Sequence, residues 1–148
     1  MRLWHYKLIP FLPKSQLLAQ WRELNSIFKK QDKHILINYI YEYPKDDLYT
    51  YTNILFTELA KRHINIKSLD NFYEYFDFKN NTYLLVDEPF RNHHNYRYLL
   101  QNYFNLQEKY DRGQKDFTEE QLDALNQLVN EEWMREKFHE EKECEKRK

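Results

Sequence analysis

Residues 13–30 read PKSQLLAQWRELNSIFKK, and this stretch decides the fold class. Leu17, Leu18, Trp21, Leu24 and Phe28 recur at spacings of three and four, the period that gathers apolar side chains on one face of an α-helix. Pro13 suits the first turn of that helix, because the N–H it lacks would find no helical partner there. Arg22 and Glu23 follow Trp21 directly and fall towards the borders of the stripe. By themselves, an adjacent Arg and Glu on a helix read as a solvated face.

Working outward, residues 34–43 (HILINYIYEY) fit a helix or a strand, and Pro44 ends them. A second helix is expected from about Leu48 to His63, with Ile54, Leu55 and Leu59 on one side and Glu58, Lys61 and Arg62 on the other. Residues 64–82 read as irregular or short helical, with a turn at Asn80-Asn81. A third helix is expected from near Asn92 to about Arg112, closed by Gly113, which takes a left-handed backbone without steric cost. Thr118 and Gln121 then form a capping box. Leu122, Leu125, Leu128, Val129, Trp133 and Phe138 follow at helical spacing, and the polar residues 139–148 are expected to fray. The division expected is a helical domain over 1–113 and a charged amphipathic C-terminal helix with a frayed tail over 114–148.

Composition points the same way. The chain has 148 residues, enough for one domain with its own core. It holds one glycine, Gly113, beside 13 Tyr, 10 Phe and 3 Trp, which disfavours tight β-hairpins and favours helices packed with large side chains. An all-α, compact single-domain fold is the expectation. No run approaches the ~18 apolar residues of a membrane span. The lone cysteine, Cys144, excludes an internal disulfide framework and fits a reducing compartment, so a soluble cytoplasmic chain is expected. Net charge is −1, but residues 1–63 carry ten Lys/Arg against six Asp/Glu, so an anionic partner would meet the first half.

Several chemistries are excluded or disfavoured. The single glycine removes phosphate-cradling loops and dinucleotide fingerprints. No Gly-x-Ser-x-Gly elbow is present, and Cys144 sits in a charged tail, against Ser or Cys nucleophiles. The adjacent His93 and His94 would diverge by about 100° on one helix, and no His-x-x-x-His pattern supports a metal. Capping and surface hydrogen bonding are the default roles for the six histidines. The tyrosines at 39, 41, 43, 49 and 51 read first as packing.

Residues 16–24, QLLAQWREL, resemble the first helix of the pyrimidine-dimer DNA glycosylase family (phage endonuclease V-like), which carries an aromatic-Arg-Glu-Leu motif at the same distance from the N-terminus. Residues 58–67, ELAKRHINIK, are similar to the end of that family's second helix, and Leu106 to Lys109 to its late Leu-Asp-Glu-Lys stretch. A bacterial branch is resembled through Met1 to His5, His94 to Leu99, and Asn105 to Lys109. The resemblance covers roughly residues 1–113.

It implies a compact all-α fold and a DNA-repair glycosylase with abasic-site lyase activity that needs neither metal nor cofactor. The N-terminal α-amine would attack C1′ of the damaged nucleotide through a Schiff base. Glu23 matches the catalytic glutamate; Arg22 and Lys109 match residues that contact DNA. The partner implied is double-stranded DNA with damaged or abasic sites, and no membrane. The chain departs from the family where position 2 is Arg, too bulky for the usual removal of the initiator, so the amine is expected on Met1, with Arg2 beside it. Ser26 stands where the family has an arginine, and an acidic helix replaces the family's aromatic-basic C-terminus. The alternative is a module that keeps the fold without the chemistry, binding DNA, or a protein through the C-terminal helix.

Overall fold

The computed structural model describes residues 2–147. They form five α-helices, α1 (Lys14–Lys30), α2 (Lys45–Lys61), α3 (Asp70–Phe76), α4 (Tyr96–Asp111) and α5 (Glu119–Arg147), with 3-10 helices at Tyr6–Phe11 and Asn38–Glu42. No strand occurs among the described residues, so the fold is all-α as expected. A single core joins Leu3, Leu8, Leu24, Ile27, Tyr51, Leu55, Phe76, Leu99, Leu106 and Leu125, drawing on the head of the chain and all five α-helices.

α1 matches its stripe, with Leu17, Leu24, Ile27 and Phe28 buried. Pro13 is the residue before the helix, in an extended conformation, and Pro44 precedes α2 in the same way. α2 therefore begins at Lys45, a turn earlier than its apolar pattern suggests, with Asp46 and Asp47 in the first turn where the helix dipole favours them. Asp47 also holds the turn before α4: its Oδ2 accepts the Phe90 N–H at 2.8 Å. Residues 34–43 are neither of the two alternatives but a turn followed by the second 3-10 helix.

The third predicted helix starts four residues late. Asn95 is its N-cap, accepting the Tyr98 N–H at 3.0 Å, so His93 and His94 lie in the turn before α4. That turn is pinned by Phe90, a fully buried residue with φ +57°, whose carbonyl accepts the N–H groups of both His93 and His94. A bulky side chain in the left-handed region costs about 1–3 kcal/mol, offset here by edge-to-face packing on Tyr39 and Tyr43. Gly113, at φ +86°, follows α4 as expected.

The capping box is formed in both directions, Gln121 N–H to Thr118 Oγ1 at 3.1 Å and Thr118 N–H to Gln121 Oε1 at 3.0 Å. α5 then runs to Arg147 rather than fraying after residue 138; Glu and Lys propagate helices well, and Lys146 and Arg147 complement the dipole at its end. Only Leu125 and Val129 of this helix are buried, so Trp133 and Phe138 do not continue the packed stripe.

Candidate active site

Residues 2–5 run through the protein without regular structure, and Leu3, Trp4 and His5 are buried. Buried backbone without a ladder of its own must be satisfied by side chains. Gln20 of α1 accepts the Trp4 N–H at 2.8 Å through Oε1 and donates from Nε2 to the Arg2 carbonyl at 3.1 Å. Tyr51 of α2 donates to the Trp4 carbonyl at 2.6 Å, and Tyr98 of α4 to the Leu3 carbonyl. Asn102 of α4 accepts the His5 N–H at 2.7 Å. His94 Nδ1 accepts the Tyr6 N–H at 3.3 Å, which puts the ring proton on Nε2, where it donates to the Tyr39 oxygen at 2.6 Å.

Burial keeps both histidines neutral. Burial lowers His5 to about 3, helped by the Lys7 charge, and burial takes His94 well below its ordinary value. His5 fills the capping role expected of it, its Nδ1 accepting the Lys7 N–H at 3.1 Å at the start of the first 3-10 helix, whereas His94 is buried rather than at the surface. Glu58 also departs from expectation: it is buried, and it holds Arg62 at 2.7 Å so that the guanidinium donates to the carbonyls of Leu12 and Pro10. That pair ties α2 to the end of the head segment.

Glu23 stands at the mouth of this arrangement. Its Oε2 accepts the Arg2 backbone N–H at 3.3 Å and the Gln20 amide at 3.0 Å. Burial pushes its carboxyl above the usual range, against the opposing pull of those two donors. A carboxyl raised in this way gives up its proton less readily than an exposed one, which suits it to carry a proton to a reacting group and take one back. The carboxyl opens on a cavity of about 390 Å³ whose walls include Arg2, Trp4, Gln20, Glu23, Lys109 and Arg112. Arg112 is held on Glu108 at 3.0 Å. Arg2 and Lys109 add positive charge to the same walls, an arrangement suited to an anionic strand.

The structure thus brings Arg2, Glu23 and Lys109 to one cavity. Arg22 is exposed and is not among the residues lining it. Met1 lies outside the described residues. Sequence reasoning missed Gln20 and Asn102, although both left a signal: each is a polar residue at a position where its helix's apolar stripe calls for a hydrophobe. Gln20 lies between Leu17 and Leu24, Asn102 between Leu99 and Leu106, and both are buried. A second cavity of about 410 Å³, beside Tyr6 and α5, is lined by ions that pair among themselves, Lys7 with Glu132 at 2.8 Å and Arg91 with Glu88 at 3.3 Å.

The all-helical body thus sets a half-buried carboxyl against the backbone of residue 2, in a cation-lined cavity. The model of the family described as pyrimidine dimer DNA glycosylase matches residues 1–72, from the head of the chain into α3, and supports membership of that family. The match indicates a DNA-repair glycosylase. No curated protein and no solved structure matches the chain. Among the described residues, no helix is long and apolar enough to cross a membrane.

Proposed function

We propose that this chain is a DNA glycosylase with abasic-site lyase activity, whose nucleophile is the α-amine at the head of the chain and whose proton-transfer group is Glu23. The observation that carries this reading is the Arg2 N–H on Glu23 Oε2 at 3.3 Å, because residue 1 is one peptide unit from that nitrogen. An α-amine has an ordinary pKa of ~7.7–8.0 and is nucleophilic in its neutral fraction at physiological pH.

The neutral amine adds its lone pair to C1′, and the C1′–N bond breaks with its electron pair leaving on the base, which then takes a proton. Glu23, protonated, donates to the ring oxygen O4′ as the C1′–O4′ bond opens and the imine forms. As a carboxylate it then removes a proton from C2′, and the C3′–O bond breaks to release the 3′ phosphate. At a site already abasic, the same amine condenses with the C1′ aldehyde and water leaves. Lys109 and Arg2 hold the strand's phosphates at the cavity wall, and Arg22, exposed on α1, meets the duplex outside it. An everted nucleotide gives the amine access to C1′.

The family match and the raised carboxyl support this assignment; the substrate is duplex DNA with a damaged or abasic nucleotide. Residues 1–113 are then the glycosylase-like part and 114–148 a helical strap, in a chain that works in the cytoplasm. Borohydride reduction in the presence of an abasic-site duplex tests it. Native, untagged protein should give a covalent protein–DNA adduct whose peptide map places the DNA on the N-terminal amine. No adduct, or one on a lysine side chain, overturns it.

The second reading is a module that binds DNA or a protein without the chemistry. A net charge of −1 and the open face of α5 favour it. It expects salt-dependent duplex binding, or a protein partner on α5, with no trapped adduct.

A further inference from the structure

One side chain joins the backbone of residues 2–4 to the Glu23 carboxylate. Gln20 is almost wholly buried, and its carboxamide makes four hydrogen bonds. Oε1 accepts from the Trp4 N–H at 2.8 Å and the Tyr51 hydroxyl at 3.0 Å, while Nε2 donates to the Arg2 carbonyl at 3.1 Å and to Glu23 Oε2 at 3.0 Å. Two lone pairs and two N–H groups are the whole capacity of a carboxamide, so its orientation is fixed by its partners. Glutamate could accept from Trp4 and Tyr51 but would face the Arg2 carbonyl and Glu23 with lone pairs. Methionine, of similar shape, could bond none of the four. Leu17 and Leu24, one turn either side on the same face, are core residues, so a hydrophobe at 20 is what packing alone would call for. A buried amide retained there must be held by its polar partners.

We propose that Gln20 is the positioning residue of this site: its fixed carboxamide sets the register between the backbone of residue 2 and the Glu23 carboxylate, and with it the proton affinity Glu23 brings to the reaction. The inference rests on the glycosylase–lyase reading only for its last clause. Gln20 touches no substrate; it acts through Glu23 and the head segment.

The test reads Glu23 itself. Carbon-detected NMR of the side-chain carboxyl follows its titration in the wild-type protein and in Gln20→Glu and Gln20→Met. In the wild type, the Gln20 side-chain amide protons should exchange slowly and shift over the same pH range as Glu23. An amide that exchanges freely or ignores that titration overturns the proposal without any variant. In Gln20→Glu, two carboxyls share one site, and the Glu23 midpoint should rise by about one unit or more. Loss of a donor to the carboxylate raises it in Gln20→Met as well, by less. Midpoints unchanged in a folded variant overturn the proposal.

Activity separates the two readings. If wild-type protein traps abasic DNA and the pH profile of trapping moves with the Glu23 midpoint in Gln20→Glu, both stand. If the wild type traps DNA but neither midpoint nor profile moves, Gln20 loses its role and the lyase remains. If nothing traps DNA while the NMR shifts appear, the lyase fails, and Gln20 is left setting the register and proton affinity of Glu23 for another ligand.

Discussion

The two ends of this chain are built on opposite plans. At the head, Leu3, Leu8, Ile9 and Leu12 are fully buried, and side chains from α1, α2 and α4 each grip a named backbone atom of residues 2–5. The tail helix α5 is 29 residues long and buries only Leu125 and Val129, leaving Trp133, Met134 and Phe138 at least half exposed. Among the described residues one ion pair crosses between them, Lys7 on Glu132 at 2.8 Å. A segment held by directional bonds has one position; a helix held by a short apolar strip has a face. Fixed geometry, which chemistry needs, belongs to the head, and the family match, ending at residue 72, falls on that half.

The sharpest way to break this contrast is at Glu23. Glu23→Gln keeps the shape and an acceptor oxygen but removes the proton-transfer group, so trapping and strand cleavage should fall by about 10²–10⁴-fold. Thermal unfolding should barely move. Single-turnover cleavage of an abasic duplex reads the first, and a loss under tenfold would detach Glu23 from the chemistry.

Acid is the next largest probe, and it acts most strongly through the two buried histidines of the head's network. His5 is held near 3 and His94 well below the ordinary value of 6.5, so below pH ~6.5 the unfolded chain binds more protons than the folded one. The stability these neutral rings contribute is complete above that pH and is lost as pH falls. Each costs about 1.4 kcal/mol per pH unit once the unfolded form is protonated. Denaturant midpoints should therefore be flat from pH 8 to 7 and drop steeply between 6 and 4. In His94→Gln the drop should be shallower; an unchanged slope would remove His94 from the account.

The sequence showed helices more readily than it showed this network. The stripe from Leu17 to Phe28, the capping box at Thr118 and the stop at Gly113 are local, each settled by residues within a turn or two of one another. Local signals fix element type. The grip on residues 2–6 joins positions up to 97 residues apart, as in the His5–Asn102 bond, and no periodicity encodes such a pairing. Arg2, Glu23 and Lys109 came from family resemblance, while Gln20 and Asn102 were visible only as polar breaks in apolar stripes. The late start of α4 has the same origin, since Asn95 can cap only because the buried turn at Phe90 delivers it.

Asn102→Leu probes one strand of that grip. It fills the same space but leaves the His5 N–H buried without an acceptor, a loss of about 1–3 kcal/mol. The full effect should appear in unfolding free energy by denaturant titration, with faster amide exchange at His5 than at Leu125. A change below half that lower bound would remove Asn102 from the grip on the head.

Trp133→Ala asks the matching question of the tail and carries the smallest expected effect. The indole is half exposed, its ring lying under the Lys137 ammonium at 5.7 Å, an exposed cation–π contact worth about 0.5 kcal/mol. Removing it takes nothing from the buried strip of Leu125 and Val129 and leaves no buried polar atom orphaned. Alanine is also the better helix former, which returns a few tenths of a kcal/mol. The two terms nearly cancel, so unfolding free energy should stay within about 0.5 kcal/mol of wild type, and trapping of abasic DNA should be unchanged. A loss of activity with stability intact would move the tail from strap to substrate contact, and the division between a precise head and a tolerant tail would have to be redrawn.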